Sequence, residues 1–163
     1  MRRALRALLL PLLLCASCSP VRATPREAFE AVRAAVAAGD GAALFAAHDS
    51  DTREHRRQRL REWRALLARG DPPEEVLAGS GIGVDEVTSG TVEEAAVRIF
   101  AAHSPMVRDA EWFASADVVE EQREGEDTAQ LLLRGADGAQ RSLWFLREGG
   151  TWCLDYYRTS MPR

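Results

Sequence analysis

His103, Asp155 and the arginines between residues 53 and 69 carry the residue types with which this chain could do chemistry. Val92, Ala96, Ile99 and Phe100 recur at helical spacing, and His103 falls near the centre of the stripe they make, so its imidazole should point inward. An imidazole of tunable pKa in an apolar pocket suits a general base, and Asp155 is a candidate carboxylate for a proton transfer of the isomerase or dehydratase type. The alternative is structural: a histidine in a helix's last turn bonds to free carbonyls and is favoured there by the dipole. His48, Asp49, Asp51 and His55 form the densest group of potential ligands. Ser50-Asp51-Thr52 should break the helix that would align them, so the group reads as Asp caps and surface His, and neither a metal nor a cofactor is expected.

The segment from Arg53 to Arg69 holds seven arginines against Glu54 and Glu62. On a helix, Arg53, Arg57, Arg61 and Arg64 share a stripe beside an apolar arc of Leu60, Trp63, Leu66 and Leu67. That stripe suits anionic head groups or an acidic partner, or is a solvated helix face. Arg56 and Arg59 project into the apolar arc itself: either the helix starts later, or they snorkel, or they line the mouth of a pocket for an anionic ligand. Trp63, Trp112, Trp144 and Trp152 serve a core more readily than an aromatic cage.

The elements that must position these residues begin behind an export signal. Arg2, Arg3 and Arg6 precede an apolar run from Ala7 to Leu14 that is too short to span a bilayer. All 21 basic side chains are Arg, and the formal charge of −4 becomes three units more negative once that basic head is removed. An exported acidic chain argues against nucleic acid as a partner. Thr24, Pro25 and Glu27 open a helix through Phe29, Val32 and Val36 to Gly39. Asp40 caps a short helix through Leu44 and Phe45 to His48, and a third runs from about Thr52 to Arg69. Residues 73–77 suit one more turn, whereas 79–83 show too little periodicity for any element. Thr91 with Glu94 opens the helix that ends near Ser104-Pro105. From Ala116 to Tyr157 the pattern is three or four antiparallel strands, closed by a Gly149-Gly150 hairpin in which Tyr156 and Tyr157 continue the last strand.

Two resemblances follow from these residues. Cys15-Ala16-Ser17-Cys18 resembles the lipobox of bacterial lipoproteins, which implies a signal at 1–17, a lipidated Cys18 with a tether at 18–23, and a single α+β domain at 24–158. Ser19 after the cysteine implies the outer membrane. The alternative is ordinary cleavage to a secreted or periplasmic protein, in which a Cys18–Cys153 bridge becomes possible. Helices followed by a meander, with Ala37-Ala38-Gly39-Asp40 early and a glycine turn before Trp152 late, resemble the nuclear transport factor 2-like superfamily. That resemblance implies N-terminal helices packed on a curved antiparallel sheet around a pocket. The function expected is a lipid-anchored envelope domain that binds a small or anionic ligand or an envelope protein and catalyses nothing. A pocket enzyme using His103 and Asp155 is one alternative, and a structural protein dimerising through its sheet is the other.

Overall fold

The computed structural model describes residues 21–160. The expected signal, Cys18 and its tether up to Pro20 lie outside the described residues. Thr24 caps α1 (Pro25–Ala38) by accepting a hydrogen bond from Glu27 N at 3.1 Å, and Gly39, at φ +64°, ends it in the left-handed conformation that favours glycine. The Glu27 carboxylate reaches back to Ala23 N at 2.6 Å, one residue ahead of the expected capping box. Ala28, Phe29, Val32, Ala35 and Val36 are the buried stripe of this helix.

Asp40 caps α2 (Gly41–Ala46), and Asp49 caps α3 (Ser50–Ala68), its carboxylate accepting from Thr52 N at 2.8 Å. The third helix therefore starts two residues before the expected Thr52, and Asp49, with both oxygens used by Thr52, is buried as its cap. Two short helices follow, α4 (Pro73–Val76) and α5 (Val84–Thr88). Helix α6 (Val92–His103) carries the expected capping box, with Glu94 N bonded to Thr91 Oγ and Thr91 N to the Glu94 carboxylate. Two further short helices, α7 (Pro105–Arg108) and α8 (Ala110–Ser115), precede the sheet. Nothing in the sequence pattern announced α5, α7 or α8. Each is five residues or fewer or carries only one or two buried side chains, so contacts from elsewhere in the fold hold them in place.

The sheet is an antiparallel meander in the order β1 (Asp117–Arg123), β2 (Thr128–Arg134), β3 (Gln140–Glu148) and β4 (Thr151–Asp155), with an irregularity in the β1–β2 register between Val118 and Glu120. Ala129, Leu131, Leu133, Leu143, Phe145, Trp152 and Leu154 are buried and share one face by register, and α1 packs against β2 and β4. Gln122, Gln130, Ser142 and Trp144 share the other. The architecture is thus the expected α+β arrangement, with the helices N-terminal to the sheet.

The last strand ends earlier than its alternation suggests. Asp155 Oδ1 accepts a hydrogen bond from Arg158 N at 3.0 Å and starts α9 (Tyr156–Ser160), so Tyr156 and Tyr157 are helical and not strand residues. The free edge of β4 is covered by the chain ahead of α3. Leu154 N donates to Ala47 O at 2.8 Å, Asp49 N donates to Leu154 O at 3.0 Å, and His48 makes a one-residue parallel bridge between them. Trp152 N also donates to Arg22 O at 3.0 Å, which blunts the remainder of the edge.

Helices α2 and α6 approach closely at Gly41, where a Cβ would collide with the Ala101 methyl. Gly41→Ala should therefore lower stability by about 1–3 kcal/mol in urea denaturation, overpacking outweighing the better helix propensity. Adding Ala101→Gly to that variant should recover part of the loss, a coupling that a pure propensity effect would not give.

Candidate functional site

Helix α3 packs against α5 and α6, and a cavity of about 210 Å³ lies along it, bounded by α6, by Ser80 and Ile82, and by Tyr156 from the start of α9. Leu60, Ala96, Ile99 and Phe100 give it apolar walls. Arg56 enters from α3 with its guanidinium carbon 4.8 Å from the centre of the Tyr156 ring and 5.7 Å from that of Phe100. Its Nε is buried without a hydrogen-bond partner, and among the described residues no carboxylate pairs with it. Two helical turns further on, Trp63 Nε1 is likewise buried and unpartnered. Arg59 stands at the mouth, 56% exposed, 5.3 Å from the Trp63 ring and 3.7 Å from Glu62. Arg56 and Arg59 thus both line the cavity, one of the alternatives that their place in the apolar arc left open.

His103 lines the same cavity, half-buried at the end of α6. Its carboxylate partner is not Asp155, which is engaged at the start of α9, but Glu86 of α5, with His103 Nε2 and Glu86 Oε1 3.1 Å apart. The Gly83 N–H and then the His103 contact hold the Glu86 carboxyl below the usual carboxylate range. An imidazole at a cavity wall with a carboxylate bonded to it can exchange a proton with a bound molecule. Glu86 escaped the sequence reading because its element did. The only trace of it is its position three residues after Gly83, the spacing of a capping box with glycine where Ser or Thr would normally stand.

The arginine stripe is spent inside the molecule. Arg57 makes a two-pronged pair with Glu93 and lies 5.3 Å from the Phe45 ring, and that pair keeps the Glu93 carboxyl below its ordinary range. Arg64 donates to Val87 O at 2.6 Å, Ser89 O at 3.3 Å and Thr91 O at 3.2 Å, stapling the turn between α5 and α6 to α3. Arg61 pairs with Glu54 at 2.8 Å, and Arg53 Nε bonds to Asp49 O at 3.4 Å. These four positions serve internal contacts first.

The histidines of the α3 entry part company. His48, expected at the surface, is fully buried, its Nδ1–H donating to Leu44 O at 2.8 Å and its ring 4.5 Å from that of Phe100. Its Nε2 has no partner. His55 stays exposed, 5.4 Å from the Tyr157 ring. Among the described residues no three His, Cys, Asp or Glu side chains group as for a metal ion. Cys153 is buried, its thiol pushed up by burial, with Arg22 Nη2 at 3.7 Å.

A larger trough of about 760 Å³ opens over the other face of the sheet, beside Gln122, Gln130, Ser142 and Trp144. Its charges are already answered: Arg141 pairs with Asp109 at 2.6 Å and Arg158 with Glu124 at 3.3 Å. The smaller cavity is the one whose walls present unanswered polar groups. Compared with family models, with curated proteins and with solved structures, the chain finds no match.

Burial lowers the pKa of His48 from 6.5 to about 4. Between those values the unfolded chain binds the proton that the folded chain refuses, so the stabilisation is complete above pH 6.5 and is lost as pH falls toward 4. Urea titrations at pH 7.5, 5.5 and 4 should register a loss of about 3 kcal/mol from this group. His48→Leu should flatten the part of the profile above pH 5, where the lowered carboxylates have yet to titrate.

Proposed function

We propose that this chain is an exported, lipid-anchored envelope protein whose cavity beside α3 takes up a small ligand without transforming it. The anchor rests on the lipobox-like run that ends at Cys18. The helices-first order with a closing meander supports reading the domain as nuclear transport factor 2-like, a fold used for binding as well as for catalysis. The observation that carries the binding reading is the pair of buried donors, Arg56 Nε and Trp63 Nε1, on the walls of one cavity. A buried donor left unpaired costs about 1–3 kcal/mol, so groups of this kind persist where something other than the protein answers them.

The second reading is a pocket enzyme, favoured by His103 at the same wall with Glu86 bonded behind it. There His103 acts as base and Glu86 orients it, with Arg56 stabilising developing negative charge.

Protein isolated from bacterial membranes without denaturation should have the intact mass of Cys18 to Arg163 plus acyl chains, and should release a small molecule when denatured. Ala96→Leu, which narrows the cavity, should release much less while keeping the far-ultraviolet dichroism of the parent. His103→Gln should leave release unchanged. Equal release from the Ala96 variant would place the ligand elsewhere, and a released molecule that the parent consumes but His103→Gln does not would establish the enzyme instead.

A further inference from the structure

Arg56 and Trp63 stand seven residues apart on α3, so their backbones are separated by about 10 Å along the helix axis. Leu60 lies between them on the same wall, faced by Ile99 and Phe100 of α6. The cavity therefore offers a buried cationic donor toward one end, an apolar middle, and a neutral donor toward the other. Its volume of about 210 Å³ is below the roughly 300–1,000 Å³ of sites for drug-sized ligands, which rules out a nucleotide or a long lipid chain.

We infer that the ligand is a short apolar monocarboxylate that carries a neutral acceptor oxygen, a ketone or hydroxyl, at its far end. This inference rests on the binding reading above. The carboxylate pairs with the Arg56 guanidinium, which has no counter-ion among the described residues and is held in place by the Tyr156 and Phe100 rings. A single half-buried guanidinium without converging backbone amides matches a single negative charge better than a phosphate dianion. The distal oxygen accepts from Trp63 Nε1–H. A second carboxylate at that end would face an indole donor and an Arg59 already paired with Glu62, so a neutral oxygen is the better match. Ser80 Oγ, also on the wall, donates to Leu77 O and accepts from Ile82 N, so its hydroxyl is already engaged. Both nitrogens are closed off from solvent and unpaired in the free protein, so a ligand gains by supplying the bonds they lack while filling the apolar middle.

Calorimetric titration with 6-oxoheptanoate, heptanoate and heptan-2-one tests the inference on the unmodified protein. The expected order is 6-oxoheptanoate tightest, heptanoate about five- to tenfold weaker for the lost neutral bond, and heptan-2-one at least tenfold weaker for the lost charged one. Arg56→Met should bring 6-oxoheptanoate down to the affinity of heptan-2-one without changing the latter. Trp63→Phe should erase the difference between 6-oxoheptanoate and heptanoate. Heptan-2-one binding as tightly as 6-oxoheptanoate would overturn the ligand class while leaving the cavity a binding site. If none of the three binds, the inference falls, while the release of a small molecule on denaturation and its loss in Ala96→Leu still decide the binding reading.

Discussion

Two backbone hydrogen bonds, Leu154 N to Ala47 O and Asp49 N to Leu154 O, tie the helical half of the molecule to the edge of its sheet, and the geometry of the cavity follows from them. They fix residues 47–49 as a one-residue extension of the sheet beside β4. Asp49 is thereby set at the entry to α3, and two turns later that helix delivers Arg56 beside the Tyr156 that leaves β4. His48, caught in the same three residues, is forced into the core with one ring nitrogen satisfied and the other not. Its desolvation is the cost of making this junction, and a neutral imidazole is the form that junction tolerates.

The arginines of α3 divide by what they meet. Arg57 and Arg64 reach across to Glu93 and to the carbonyls that follow α5, and these contacts join α3 to the α5–α6 turn. Because that turn is held, Glu86 is delivered to His103. Arg56 points the other way, against the faces of the Tyr156 and Phe100 rings, whose negative quadrupole attracts the cation. One helix thus uses the same residue type both to close the fold, at Arg57 and Arg64, and to leave a charge unanswered inside it, at Arg56.

Helices with strong local chemistry were legible from the sequence. Thr24-Pro25 with Gly39, Asp40, and Thr91 with Glu94 each satisfy the ends of their helix with residues only a few positions away. The meander was legible from alternation and turn residues, except where Asp155 uses its carboxylate to start α9 and so removes Tyr156 and Tyr157 from the strand. Helices α5, α7 and α8 were not legible, because their support comes from distant groups such as Arg64 on Val87 O and Arg141 on Asp109. Of the site, Arg56, Arg59 and His103 were readable as polar residues on apolar arcs. Glu86 was not, nor was the burial of His48, which depends on a strand pairing that joins residues over a hundred positions apart. Arg53, Arg57, Arg61 and Arg64 were legible as a stripe of charge, but a wheel says nothing of the carboxylates and carbonyls that the rest of the chain folds against it.

Ligand binding in the cavity beside α3 turns on two buried N–H groups, and nitrogen-15 magnetic resonance observes both directly. On titration with 6-oxoheptanoate, the Arg56 Nε–H and Trp63 Nε1–H resonances should move downfield together and saturate at one concentration, while the indole signals of Trp112, Trp144 and Trp152 stay in place. Unmoved Arg56 and Trp63 signals at saturating ligand, with shifts at the other tryptophans, would contradict it.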